Sequence, residues 1–198
     1  MKNYFFILPA IFIFSFTLVA QTKPQTTDDL KAKIRAFKKS ESERYKIRYD
    51  KITDKSSVIY MGDVLHHSLS FPMSGTSIQL LTEFQFDADV LDRSIDTFKL
   101  IFTAFGKQRE FLKNRNLYIL ADAERFDFGV GEYDGDLGVG FASGFKTWEG
   151  LSFHVKREQL EKFAQAKTLE IKIGTRKFKS KEDIQRGFTN ILALGSIE

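Results

Sequence analysis

The alternation of hydrophobic and polar positions predicts that most of the chain forms β-strands. The clearest stretch places apolar or neutral side chains at every second residue from 78 to 86, with mainly polar residues between them. Such a strand buries one face of a sheet and leaves the other face in water, which is typical of antiparallel sheets. The residues with this period on the buried side are Ile78, Leu80, Thr82, Phe84 and Phe86. Further predicted strands have alternating apolar residues within 45–49, 58–60, 65–71, 98–104, 117–120, 126–128, 151–155 and 169–173, with a return at Phe178.

Three segments change to the helical period of 3.6 residues. The first follows Thr26 and Asp29, which have the spacing of a capping box. The second covers residues 157–167, and the third is predicted from an N-cap at Ser180 to a stop at Gly195. The apolar stripes of these helices are Leu30, Ile34 and Phe37; Leu160, Phe163 and Ala164; and Ile184, Phe188, Ile191 and Leu192.

The order of these elements predicts an α+β fold. It consists of a mainly antiparallel β-sheet with an N-terminal helix and two C-terminal helices, and the alternative is a two-sheet sandwich with the same helices. The predicted organisation is a signal peptide over 1–20, a polar tether and basic amphipathic helix over 21–40, and a single α+β domain over 41–198. Sixteen of the 21 phenylalanines follow the signal segment, which is enough to fill such a core.

The N-terminus has the pattern of a secretory signal peptide. Lys2 precedes an uncharged apolar run over residues 4–19, which ends at Ala20. The run contains Pro9 and is short for a bilayer span of about 20 residues, and it ends at a small residue suited to signal-peptidase cleavage. We therefore expect cleavage after Ala20 and a secreted or periplasmic protein. The alternative, an uncleaved anchor, also places the remainder outside the cytoplasm.

Composition and charge exclude several classes of protein. The chain has no cysteine, which excludes disulfide scaffolds, thiolate zinc sites and cysteine nucleophiles. The net charge of +4 is too small to predict nucleic-acid binding by release of counterions. The charge is segregated along the chain. Residues 23–55 contain 11 basic and 6 acidic residues, residues 83–136 contain 7 basic and 12 acidic residues, and residues 146–186 again contain 11 basic and 6 acidic residues. The basic face of the first helix is expected to be solvated, with weak contact to an anionic membrane as the alternative.

The segment 127–140 is rich in glycine and aspartate and permits two interpretations. Glu132, Asp134 and Asp136 would offer oxygen ligands to calcium if the segment curled into a loop. Alternatively, Asp134 and Gly135 form the type I′ turn of a β-hairpin. The sequence leaves calcium binding open, and no cofactor is assigned.

Catalytic motifs are weakly supported. His66 and His154 lie on the polar sides of predicted strands and would form a zinc or general-base site only if the fold brought them together with a carboxylate. His67 alternates in phase with the apolar Leu65 and Leu69 of its predicted strand, so it is expected in the core. Ser143 is expected in a turn. A carboxylate pair for glycoside hydrolysis is conceivable among Glu83, Asp87 and Asp89.

Trp148, the single tryptophan, is a candidate interface or ligand anchor. A loop tryptophan combines a large apolar area with a hydrogen-bond donor. With Met61, Pro72 and Met73 it indicates where an exposed apolar patch is expected.

Three segments carry a resemblance to a group of known proteins. They are Tyr49-Asp50-Lys51-Ile52-Thr53-Asp54-Lys55-Ser56-Ser57-Val58, then Leu151-x-Phe153, then Leu169-Glu170-Ile171-Lys172-Ile173-Gly174. Over residues 44–194 their layout is similar to that of uncharacterised exported bacterial proteins with an antiparallel sheet and a strand-helix-hairpin-helix tail. The resemblance implies an exported α+β protein and no particular activity.

These observations favour a non-enzymatic binding or interaction domain of the cell envelope or the extracellular space. The expected partner is an envelope protein or a small ligand, with no nucleic acid and with membrane contact only through the signal segment or the basic helix. No catalytic, cofactor-binding or metal-binding residue is assigned. The alternatives are a secreted hydrolase using carboxylates or a histidine-carboxylate metal site, and a structural envelope component.

Overall fold

The structure is a computed structural model that describes residues 23–67, 76–106, 109–140, 144–180 and 182–197. Within these ranges the chain forms four helices and twelve strands. The helices are α1 (Thr27–Ala36), α2 (Lys39–Ser42), α3 (Arg157–Gln165) and α4 (Glu182–Leu194). The strands are β1 (Gln25–Thr26), β2 (Tyr45–Asp50), β3 (Lys55–His67), β4 (Ser77–Asp87), β5 (Val90–Leu91), β6 (Thr97–Gly106), β7 (Asn116–Ala121), β8 (Glu124–Val130), β9 (Glu132–Gly140), β10 (Gly144–Lys156), β11 (Leu169–Ile173) and β12 (Arg176–Lys179).

Two antiparallel sheets make up most of the fold. A six-stranded sheet has the order β2-β3-β4-β6-β10-β9, and a four-stranded sheet has the order β12-β11-β7-β8. The short β1 and β5 pair separately, so Gln25 and Thr26, within the segment predicted as a tether, are held against the domain. Every neighbouring pair of strands is antiparallel, which confirms the predicted mainly-β α+β class.

The alternation in the sequence corresponds to the two faces of the sheet. In β4 every side chain predicted to be buried is buried, and in β6 the same holds for the even-numbered positions from 98 to 104. The capping box at Thr26 is present, because its hydroxyl accepts a hydrogen bond from the N–H of Asp29 while the Asp29 carboxylate accepts one from the N–H of Thr26. The predicted turn at Gly174 is also present, with a positive φ of 57° between β11 and β12.

The core lies between the inner faces of the two sheets. Helices α3 and α4 pack into it with Leu160, Phe163, Ile184 and Phe188 buried. Phe163 meets Phe126 of the four-stranded sheet edge-on, at 4.9 Å between ring centroids. The helices and the smaller sheet therefore cover the inner face of the six-stranded sheet, and its outer face is left to solvent in the described part of the fold.

The prediction of a turn at Asp134 and Gly135 was wrong. Both residues lie inside β9, which pairs with β10 over nine residue pairs from Ser152–Glu132 to Gly144–Gly140. A hairpin turn at Asp134 would break this ladder. The many backbone hydrogen bonds of a long strand pair outweigh the local turn preference of an Asp-Gly dipeptide.

The predicted C-terminal helices occur at slightly different bounds. Helix α3 ends at Gln165, two residues before the predicted end, and α4 begins at Glu182. Residue 181 lies outside the described residues, as do residues 1–22. No helix in the described ranges combines the length and apolar character needed to cross a bilayer.

Candidate functional site

The outer face of the six-stranded sheet presents two aromatic rings side by side. Trp148 of β10 stands directly opposite Phe105 of β6, and 41% and 47% of their surfaces are exposed. Trp148 is exposed because it alternates with Thr147 and Glu149, both of which point to the buried side. Opposed residues on neighbouring antiparallel strands have their Cβ atoms about 4.5–5.5 Å apart, so the two rings form one surface.

An apolar strip crosses the centre of the same face. Met61, Leu81 and Ile101 are opposed to one another across β3, β4 and β6. They and Trp148 line one shallow groove of about 520 Å³. An apolar strip on the solvent side of an antiparallel sheet is unusual, because this face is normally polar.

Charged residues of opposite sign flank the groove. Lys46 and Arg48 of β2 lie at one edge, and Glu132 and Asp134 of β9 lie at the other. Between them Lys99 stands opposite Glu83 and reaches the carboxylate of Glu132 at 3.5 Å. The groove therefore has cations at the β2 edge, carboxylates at the β9 edge, and between them the apolar strip beside the oppositely charged Glu83 and Lys99.

A buried carboxylate fixes the backbone beneath Trp148. Glu149 is 1% exposed and points to the inner side of β10. Its carboxylate accepts hydrogen bonds from the backbone N–H of Glu110, from that of Phe111 at 3.3 Å, and from the hydroxyl of Tyr133 at 2.7 Å. Burial and the hydrogen bond to Glu149 both raise the pKa of Tyr133 above its ordinary value. The network joins β10, β9 and the segment after β6.

Glu149 was missed by the sequence analysis. A signal existed, because Glu149 shares its parity with Leu151, Phe153 and Val155, the buried side of the predicted strand. A charged residue at a buried position needs hydrogen-bond partners, and its partners come from residues 16 and 39 positions away. Because these partners are distant in the sequence, the sequence alone does not show that the Glu149 carboxylate is satisfied in the core.

The residues predicted to mark an apolar patch are partly brought together. Met61 and Trp148 line the same groove, as expected from the sequence. Leu81 and Ile101, which also line the groove, and Phe105, which lies opposite Trp148 on the same face, were not predicted. Pro72, Met73 and Ser143 lie outside the described residues.

The two histidines proposed as a metal or general-base pair are not brought together. His66 lies opposite the fully buried Ile78, and its ring is 6.3 Å from that of Phe178 in the four-stranded sheet, so it faces the core. The two register shifts beside Val64 cancel, so His66 has the same parity in β3 as the buried Val58 and Tyr60 and faces the core, against the prediction made from the apolar residues within 65–71. His154 is exposed and stands opposite Lys99 on the outer face. The side chain of His67 lies outside the described part of the structure.

The acidic candidates are spread along strands. Glu132 and Asp134 lie two residues apart in the extended β9, rather than in a curled loop. Glu83 and Asp87 are four residues apart in β4, where they oppose Lys99 and Lys55. Among the described residues, no group of three or more acidic or histidine side chains has the arrangement of a metal site.

Comparison with known proteins identifies no relative: no family model, no curated protein and no solved structure matches the chain. The geometry of the described residues is therefore the basis for a functional proposal.

Proposed function

We propose that this chain is an exported binding domain that holds an extended peptide segment of a partner protein in the groove on the outer face of the six-stranded sheet. The observation that carries the proposal is the exposed pair of Trp148 and Phe105 beside the apolar strip. Buried aromatic anchors supply much of the energy of protein interfaces, and contiguous exposed apolar surface marks such sites. Export rests on the signal pattern of residues 1–20.

The shape of the groove favours a peptide over a small molecule. Pockets for small molecules enclose most of the ligand surface, whereas this groove lies open along a sheet face. Six strands spaced by about 4.8 Å span roughly 24 Å. An extended peptide rises about 3.4 Å per residue, so about seven residues cross the face from β2 to β9.

The charges at the two edges predict the composition of that peptide. Lys46 and Arg48 complement acidic side chains at one end of the segment, and Glu132 and Asp134 complement basic side chains at the other. The apolar strip with Trp148 complements an aliphatic or aromatic centre. The expected ligand is therefore acidic, then apolar, then basic along its length, in either chain direction.

A random library of twelve-residue peptides displayed against residues 21–198 tests the proposal. We expect the selected sequences to share the acidic-apolar-basic order. Because Trp148 is the single tryptophan, binding of such a peptide is expected to shift its fluorescence to shorter wavelength. Trp148→Ala is expected to weaken the binding of a labelled peptide at least tenfold, since anchor residues contribute about 2 kcal/mol or more.

Two further variants make the test specific. Ile52→Ala removes a 95% exposed apolar side chain from the β2–β3 turn and is expected to leave affinity unchanged. Arg48→Glu is expected to weaken the original peptides and to restore binding when their acidic end is replaced by lysine. Selected peptides that bind wild type and Trp148→Ala equally would refute the groove as the site.

Export is tested separately by the mass of the protein recovered from the envelope fraction of its host. The expected mass corresponds to a chain beginning at Gln21. A mass that includes Met1 would contradict cleavage, and recovery from the cytoplasm alone would contradict export.

A further inference from the structure

The outer face of the four-stranded sheet gathers cations around one aromatic ring. Tyr118 of β7 lies at the centre, with the guanidinium of Arg125 from β8 at 4.8 Å and the ammonium of Lys172 from β11 at 5.8 Å from its ring centroid. Cations within about 6 Å of an aromatic ring are attracted to its face. The strands on both sides of Tyr118 therefore each direct a positive charge toward the same ring.

Positive charge exceeds negative charge at this position. Lys172 stands directly opposite Lys177 of β12, an arrangement that is destabilising in a sheet. Lys177 is paired with Glu170 at 2.6 Å, and this contact lowers the pKa of Glu170 below its ordinary value. Arg125 reaches Asp127 only at 4.0 Å. Within the described ranges, no carboxylate lies within ion-pair distance of Lys172.

The same side chains line a concave surface. A depression of about 350 Å³ is lined by Tyr118, Leu120, Arg125, Glu170, Lys172 and Lys177. The ring of Tyr118 and the partly exposed Leu120 supply apolar lining, and the other side chains supply charge. A concave site with one aromatic ring and two cations beside it has the chemistry of a receptor for an anion attached to an organic group.

We propose that this depression binds the phosphate group of a soluble phosphorylated molecule. Arg125 offers a planar fork that matches two phosphate oxygens, and Lys172 offers a compact charge to a third oxygen. The organic part of the ligand would lie on Tyr118 and Leu120. A single molecule fits better than a membrane surface, because Leu120 is the exposed apolar side chain in the lining and a bilayer contact uses a broader apolar face.

The depression uses basic residues of the block at 146–186, and none of the lysines or arginines of that block lines the peptide groove. Lys172 and Lys177 belong to this block, whereas Arg125 comes from the acidic block at 83–136. The site is independent of the groove, because the two surfaces are the outer faces of different sheets.

The test is a nuclear magnetic resonance titration of the protein with inorganic phosphate and then with phenyl phosphate, with ionic strength held constant by chloride. We expect saturable shifts of the backbone amides of Tyr118 and Lys172, with tighter binding of phenyl phosphate. Lys172→Gln and Arg125→Gln are each expected to raise the dissociation constant about tenfold or more, since a hydrogen bond to a charged group contributes about 1.5–3 kcal/mol. Both side chains lie on the surface, so the variants are expected to fold, which circular dichroism checks.

A gain of affinity provides the sharper outcome. Glu170→Gln removes a negative charge and releases Lys177, so it is expected to lower the dissociation constant for phosphate severalfold. Lys51→Gln removes one positive charge from the exposed β2–β3 turn, outside both surfaces, and serves as the matched control, with no expected change. Equal weakening by Lys51→Gln and Lys172→Gln, no tightening by Glu170→Gln, or binding to phosphatidylglycerol vesicles without binding to either phosphate would overturn the proposal.

Discussion

Removal of the Glu149 carboxylate is expected to destabilise the fold strongly. In Glu149→Ala the backbone N–H groups of Glu110 and Phe111 and the hydroxyl of Tyr133 lose their acceptor. The site is almost closed to water, since Glu149 is 1% exposed, so the alanine variant leaves a small cavity lined with unpaired donors.

The magnitude follows from the number of donors. A buried donor left without a partner costs about 1–3 kcal/mol. Tyr133 is only half-buried and regains water, whereas the Phe111 N–H lies in a buried contact. Two poorly hydrated N–H groups therefore give an expected loss of about 2–6 kcal/mol, a large part of the 5–15 kcal/mol that stabilises a typical domain.

A double-mutant cycle with Tyr133→Phe isolates one of these bonds. Tyr133→Phe alone is expected to cost about 1.5 kcal/mol, because its hydroxyl donates to a charged acceptor. In the Glu149→Ala background the same change is expected to cost almost nothing, since the acceptor is already gone. Urea unfolding followed by the fluorescence of Trp148 measures all four free energies.

The control is Glu158→Ala, which removes a carboxylate that is 73% exposed and should change stability by less than about 0.5 kcal/mol. A loss below about 1 kcal/mol in Glu149→Ala, or full additivity with Tyr133→Phe, would show that the network does not hold β10 in place.

Three further predictions concern stability. Gly187→Ala in α4 would place a Cβ into the ring of the buried Tyr60. The free-energy cost of this steric overlap should exceed the gain of about 1 kcal/mol from the higher helix propensity of alanine, so the thermal unfolding midpoint should fall. Thr26→Ala should cost about 1 kcal/mol in urea unfolding by removing the capping box of α1, and Thr26→Ser should restore most of it. The hydrogen bond from Arg176 lowers the pKa of Glu110, so this pair stabilises the fold above the unfolded pKa of Glu110 and the contribution is lost as pH falls through the lower folded value. The decrease in the free energy of unfolding at acid pH should be smaller in Arg176→Met than in the wild type. An unchanged dependence of this free energy on pH would contradict the role given to the Arg176–Glu110 pair.

Most secondary structure was predictable because it follows from local periodicity. Strands such as β4 and β6 have a strict period of two, and α1 begins at a capping box that is complete within four residues. Such signals depend on the covalent geometry of neighbouring residues and need no knowledge of the fold. The same reasoning failed at Asp134, where a strong local turn signal lies within a long strand pair.

The candidate site was predictable only in part. Trp148 and Met61 were identified as members of an apolar patch because exposed aromatic and sulfur-containing side chains often serve that role. Phe105 and Glu149 were not, because each depends on its neighbours in the sheet. His66 was assigned to the wrong face because the apolar residues within 65–71 indicate a separate strand, whereas His66 continues β3 with the parity of the buried Val58 and Tyr60.

The sequence by itself determined most of the buried apolar residues, where most strands and helices begin, and the α+β class. It did so because hydrophobic burial and backbone geometry impose periods of 2 and 3.6 residues on any chain that folds. Only the tertiary structure decided which strands are neighbours, and therefore which side chains share a face. The alignment of Trp148 with Phe105, and of Lys172 with Lys177, arises from strand order and register, which are set by the packing of the whole core.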